Sequence, residues 1–157
     1  MAFFVGDTQE QRHEKISALL AGGEPVMATL LAAADFEWTV RRAIIAFGES
    51  PNKVIQNEVL AECSGLDRYK RAWKAEVKKR MGVGLPELIA DWAALKEAFL
   101  LRHRLIHGTI GSTGMAYAER RIATMLEASQ AVGNWASDNH INLFEKLPVR
   151  KKRRQLP

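Results

Sequence analysis

One cysteine, Cys63, stands in a chain of 157 residues. A disulfide within the chain is therefore excluded, as is a zinc site built from a cysteine cluster. A lone thiol fits a reducing compartment. No apolar run approaches the ~20 residues that a helical membrane span requires, so no membrane partner is expected. The opening Met1-Ala2-Phe3-Phe4-Val5-Gly6-Asp7 has neither the length nor the basic start of a signal peptide, and the expected location is the cytoplasm. Strand-like alternation is missing, because the β-branched residues are scattered at helical spacings. The loop with glycines at 108, 111 and 114 lacks the Gly-Lys-Ser/Thr end of a P-loop, so nucleoside triphosphate binding is not indicated. There is no internal repeat and no long linker.

What is present is a soluble balance, 47 % apolar and 26 % charged, in a length that suits one domain with a proper core. Helix signals dominate. Thr8 followed by Gln11 resembles a capping box for a first helix that stops at Gly22-Gly23. Pro25 suits the first turn of a long second helix ending near Gly48. Ser50-Pro51 restarts the chain into a short third helix that stops at Ser64-Gly65. Asp67 is a candidate cap for a fourth, which ends before Gly82. Pro86 opens a fifth, and Ser112 or Thr113 caps a long sixth. The sixth has a seam running Met115, Ala118, Ile122, Met125, Ser129, Val132, Ala136, Asn139, Leu143. The expected fold is an all-α, antiparallel bundle of about six helices, with residues 1–23 as a helical segment, 24–145 as the main domain and 146–157 as a basic tail.

Charge sits where this pattern wants hydrocarbon. Leu85, Leu88, Trp92, Leu95 and Phe99 step by threes and fours along the fifth helix, and the next seam positions are Arg102 and Ile106. An arginine on such a seam must find a partner or face a cleft, because a buried unpaired charge is costly. His107 follows five residues later, then Gly108, a helix stop. On the second helix Leu30, Ala33, Ala34, Glu37, Arg41, Ile44 and Ile45 share one face, which Glu37 and Arg41 interrupt. These two are four apart in the favourable order for an ion pair, so a local salt bridge is one reading. Support for a site is the other, with Glu37 orienting Arg102 or Arg41 and both Glu37 and Arg41 standing behind the reacting groups.

Arg102-x4-His107 at a helix end, with polar His103 directly after the arginine, resembles the signature of the HEPN family of all-α domains, many of which are metal-independent endoribonucleases. Glu37-x3-Arg41-Arg42 is similar to the Glu-x3-Lys-Arg motif that some of these nucleases carry on an earlier helix, with Arg41 in place of the usual Lys. The resemblance spans residues 24 to 143. It implies a homodimer whose two chains pool Arg102 and His107 in one cleft, a toxin or antiviral-defence setting, and an antitoxin or defence-system partner. Thr109 stands where toxins paired with nucleotidyltransferase antitoxins usually have Tyr, which argues against that particular pairing.

The chemistry so implied needs no cofactor. RNA carries its own nucleophile, the 2′-hydroxyl beside the scissile phosphate. An imidazole can take that proton or protonate the leaving 5′-oxygen. A guanidinium can hold the charge that builds on the phosphoryl oxygens. The products are a 2′,3′-cyclic phosphate and a 5′-hydroxyl. On an ideal helix a five-residue step turns about 140°, so Arg102 and His107 converge only if the helix loosens before Gly108 or if two chains face each other. Alternatively, His107 is a capping histidine that bonds the last carbonyls. His103 and His107, four apart on one face, also have metal-ligand spacing, but no nearby Cys or carboxylate completes a set, and no metal site is expected.

The net charge of +5 is uneven. Residues 67–80 carry seven basic and two acidic side chains, and Arg150, Lys151, Lys152, Arg153 and Arg154 form a second basic zone. Two such zones on an acidic remainder point to a polyanion. Lys70, Arg71, Lys74 and Lys78 flank Tyr69, Trp73, Val77 and Met81, either as an RNA-tracking surface or as the solvated rim of a core face. The 150–154 run reads as an RNA-binding arm, a contact for an acidic partner, or a targeting signal. From another class of function, a non-catalytic helical module that binds RNA or protein would use the same seam charges to specify pairing.

Overall fold

In the computed structural model, which describes residues 6–151, the chain is all-α: seven helices and no strand among the described residues. Helix α1 (Gln9–Ala21) opens on the expected capping box. The Thr8 hydroxyl accepts from Gln11 N at 3.2 Å, and Thr8 N donates to the Gln11 side chain at 2.9 Å. Helix α2 is Pro25–Phe47. Helix α3 spans 52–59, its last turn (Ile55–Val59) wound as a π-helix. Helix α4 spans 66–81 and carries a second π turn at Lys74–Lys78. It starts directly after Gly65, so Asp67 lies in its first turn and is not the cap.

The expected fifth helix is two. Helix α5 (Leu85–Leu88) ends at Ile89, which is extended at φ −106° and ψ 122°. The Asp91 carboxylate then accepts from Ala94 N at 2.9 Å and opens α6 (Trp92–Ile106). Pro86 therefore starts only one short helix. The apolar steps from Leu88 to Trp92 match helical spacing by chance across the break. Helix α7 (Met115–Asp138) is the long final one.

By contacts the chain divides into two compact units, each assembled from two separate stretches of sequence. The first takes residues up to Glu37 together with Asp91–Gln130, and the second takes Trp38–Ala90 with residues from Ala131 onward. In the first unit Ile16, Ala28, Ala32, Phe36, Leu95, Ala98, Ala118, Ile122 and Met125 are buried. Phe36 meets Phe99 edge to face, with ring centroids 5.5 Å apart. Helix α1 belongs to this core. Besides Ile16 it buries Arg12, whose Nη1 lies 3.6 Å from Asp35 Oδ1, while His13 Nε2 sits 3.1 Å from Asp35 Oδ2. Gln9 Nε2 donates to the carbonyl of Ser129 at 3.1 Å.

The second unit centres on Phe47, Trp73 and Trp135, with ring centroids 4.6 Å apart for Phe47–Trp135 and 5.2 Å for Trp73–Trp135. The Trp73 indole N–H is satisfied by the carbonyl of Val83 at 2.8 Å, which lets so large a ring be buried at no cost in hydrogen bonding. Where α2 ends here, its last carbonyls need donors. Arg80 donates to the carbonyl of Phe47 at 2.9 Å, and Arg150 donates to those of Ala46 at 2.8 Å and Ser50 at 2.9 Å. Glu76 does the converse, accepting from Glu49 N, Ser50 N and the Ser50 hydroxyl at 3.0, 2.9 and 2.7 Å. Gly48 has no room for a side chain: a Cβ would lie 2.5 Å from Ile55 Cδ1 and 2.6 Å from the carbonyl oxygen of Ile44.

Candidate functional site

The site begins with the two faces of α6 in the first unit. Leu95, Ala98, Phe99 and Leu101 are buried, whereas Leu100, His103, Arg104 and His107 form an exposed stripe at spacings of three and four. Arg102 lies on the border between these faces. Its Nη2 pairs with Glu37 Oε1 at 3.1 Å, with the side chains 26 % and 14 % exposed. One end of the guanidinium fork is thereby fixed while part of it stays in reach of solvent.

Glu37 owes its position to α2. The face that the sequence pattern takes for core is covered in part, with Ala33, Ile44 and Ile45 buried. Ala34 is exposed and Leu30, Glu37 and Arg41 are half-buried, whereas Thr29, Ala32, Phe36, Thr39 and Val40 are buried. With apolar residues on nearly every side the helix has no strong period; Glu37 and Arg41 fall where it is half covered, and Asp35 where it is buried.

His107 caps α6. Its backbone N–H donates to the carbonyl of His103 at 3.0 Å, and Gly108 at φ +69° turns the chain away, where a Cβ would be strained. Thr109 N and Ile110 N both close onto the carbonyl of Arg104, at 3.0 and 3.4 Å. The α6 helix keeps its geometry through Ile106, and His107 departs from it only at φ −89° and ψ 9°. Loosening before Gly108 therefore does not swing the two motif residues together. The imidazole of His107 lies instead beside that of His103, with ring centroids 4.3 Å apart and planes at 50°.

The other expected site residues belong to the second unit and do different work. Arg41 is a fastener within the second unit. Its Nε donates to the Tyr69 hydroxyl at 2.7 Å, its Nη1 to the carbonyl of Leu60 at 3.2 Å and its Nη2 to that of Cys63 at 2.6 Å. It fastens the turn after α3. Arg42 does the same for the turn after α7, donating to the carbonyls of Leu143 (2.9 Å) and Glu145. Burial lowers the pKa of the Arg42 guanidinium from its ordinary value, and the group lies 5.2 Å from the centre of the Trp38 ring. The Glu-x3-Arg-Arg motif is thus one ion-pair partner of Arg102 and two fasteners.

Lys70, Arg71, Lys74 and Lys78 are exposed on α4, with Lys79 beside them, while Tyr69, Trp73 and Val77 are fully buried. The aromatic rings of that helix are core and do not offer stacking faces to bases. Lys78 sits 3.7 Å from Glu87 in an exposed pair of little energetic weight. Arg150 is corrected outright. At 7 % exposure, with both terminal nitrogens on carbonyls of the second unit, it is a structural residue and no part of an arm. Lys151 is exposed, and Lys152, Arg153 and Arg154 lie outside the described residues.

Sequence reading missed the buried pair Arg12 and Asp35 with the half-buried His13 beside them, and also Glu76. Arg12 stands four residues before Ile16, on the inward side of α1, and Asp35 falls among the apolar residues of α2; those two placements were the available signals. No group of three side chains suited to a metal occurs among the described residues, and no helix among them is long and apolar enough to cross a membrane. Comparison with family models, with curated proteins and with solved structures gives no match in any of the three.

Proposed function

We propose that the chain is a HEPN-type endoribonuclease that cleaves RNA through its own 2′-hydroxyl, without a metal, as a cytoplasmic homodimer serving as a toxin or antiviral-defence effector. The observation that carries the reading is the Glu37–Arg102 ion pair, which joins the two sequence motifs at 3.1 Å. An arginine so anchored presents a fixed cation to the phosphoryl oxygens and stabilises the charge of the pentacovalent transition state. His107, exposed at the end of the same helix, supplies an imidazole that serves as the proton carrier. One imidazole takes the 2′-hydroxyl proton as the 2′-oxygen bonds to phosphorus. A proton is returned to the 5′-oxygen as its bond to phosphorus breaks.

A single α6 directs Arg102 and His107 to different sides, which supports pooling of the motif by two copies. Leu100 and Ile106, 41 % and 50 % exposed beside the histidines, are apolar surface that a second copy would cover. His103, next to Arg102, contributes a further polar group to the cleft. The exposed lysines of α4 give a sequence-independent hold on the phosphate backbone.

The test is cleavage of total cellular RNA by purified protein. Activity is expected to survive EDTA, to need the 2′-hydroxyl at the cleaved position, and to fall about 10²–10⁴-fold in His107→Ala. Arg102→Lys should not rescue, since an ammonium lacks the planar fork. Light scattering should give a dimer mass. A clean monomer at high concentration, or cleavage that persists in His107→Ala, overturns the reading. Protein that binds RNA without cutting it would point to the non-catalytic module instead.

A further inference from the structure

The side-by-side imidazoles of His103 and His107 have a property that proton transfer does not use. We propose that they form a two-imidazole site for a divalent transition ion, and that filling this site switches off the cleavage assigned to His107. The regulatory half rests on the ribonuclease reading; the site itself does not.

The two residues are four apart at the end of α6, both exposed, with ring centroids 4.3 Å apart. Two nitrogens bound at ~2.0–2.1 Å to one tetrahedral ion stand roughly 3.4 Å from each other. Rings with that centroid separation reach this spacing by rotation about their side-chain bonds. The helix supplies the geometry in advance, so little ordering entropy opposes binding. Nitrogen donors select the ion class: imidazole suits Zn²⁺, Cu²⁺ and Ni²⁺, whereas Mg²⁺ and Ca²⁺ prefer oxygen.

No other histidine competes. His13 is tied to the Asp35 carboxylate at 3.1 Å and is 20 % exposed, and His140 stands alone after α7. Since no third ligand joins the pair among the described residues, a bound ion keeps water or solvent ligands. That makes the site reversible, a sensor of free metal and not a structural clamp. The consequence for catalysis is direct. A ring nitrogen whose lone pair is donated to the ion cannot also accept the 2′-hydroxyl proton. The ion also holds His107 against His103 and fixes a ring that must turn toward the scissile phosphate.

The experiment uses full-length, tag-free protein titrated with Zn²⁺ and separately with Ni²⁺ in a calorimeter. Wild type is expected to bind a single ion per chain. His103→Ala and His107→Ala should each weaken binding at least about tenfold, since even outer partners of a metal ligand matter by that factor. His140→Ala should bind as wild type does, and the helical circular dichroism of all variants should match. A wild type that takes up neither ion overturns the site, and so does a His103→Ala protein with wild-type affinity. In the RNA assay the same Zn²⁺ concentrations should suppress cleavage in step with occupancy, and EDTA should restore it. Unchanged cleavage at full occupancy overturns the regulatory half. Protein that binds Zn²⁺ through both histidines yet never cuts RNA leaves the site standing and removes the ribonuclease reading instead.

Discussion

Arg150→Ala separates the two readings of the second basic zone. As part of an arm, Arg150 would add to RNA affinity and nothing to stability. The structure gives it two charged hydrogen bonds, to the carbonyls of Ala46 at 2.8 Å and Ser50 at 2.9 Å, at 7 % exposure. A hydrogen bond from a charged group contributes about 1.5–3 kcal/mol. Two would give about 3–6 kcal/mol if both carbonyls stayed dry, and water entering the vacated space reduces this, so a loss of about 3 kcal/mol is expected. For a chain of this size each kcal/mol shifts Tm by about 2–4 °C, so the midpoint should fall by roughly 6–12 °C. Thermal and urea unfolding followed by circular dichroism measure it. Lys151→Ala, its exposed neighbour, is the control and should change stability by no more than ~0.5 kcal/mol. An Arg150→Ala protein that melts with wild type but binds RNA with a shallower salt dependence would refute the structural assignment and restore the arm.

Glu37→Gln should release Arg102 and lower RNA cleavage while the fold persists, because the carboxylate is only partly covered; equal rates for variant and wild type would show the ion pair to be incidental. Asp35→Ala leaves Arg12 buried without its carboxylate, a change that costs about 3–5 kcal/mol, and a melting curve like that of wild type would show that the pair is not buried in solution. Lys70→Gln, Lys74→Gln and Lys78→Gln combined remove exposed charge alone, so RNA binding should weaken and its salt slope flatten by up to about three units, with stability unchanged; an unaltered slope removes α4 from the RNA surface.

Chain punctuation was readable because it is local. Thr8 with Gln11, the glycines at 22, 82 and 108, and Pro25 each act through the backbone next to them, and the helices begin and end there. Asp91 escaped notice because the apolar steps on either side of it keep helical spacing across the break at Ile89. The face of α2 that carries Glu37 and Arg41 was legible only in part: Ala33, Ile44 and Ile45 are buried there but Ala34 is exposed, because apolar residues lie on nearly all sides of the helix. The Glu37–Arg102 contact was legible as two charges in apolar seams, each in need of a partner. Arg150 was not, because five adjacent basic residues look like an arm unless the carbonyls at the end of α2, about a hundred positions away, are known to want donors. Asp35 and Glu76 were hidden for the same reason. Their partners, Arg12 and Ser50, come from other helices and turns, and no spacing rule links them.

The division into two units made of interleaved stretches bears on how the protein is made. The first unit needs residues near 9 and near 129, joined by the Gln9–Ser129 hydrogen bond, and the second needs Ala46 and Arg150 together. A chain emerging from the ribosome can complete neither until most of its length is out, so the domain-by-domain folding open to many proteins during synthesis is closed to this one. Contacts more than a hundred residues apart also slow the search for the native state relative to helical proteins of local topology. For an RNA-cutting effector that delay would be protective: α6, with Arg102 and His107, leaves the ribosome before the part of α7 that completes the first unit, and an unfinished chain beside ribosomal RNA would be unable to cut it.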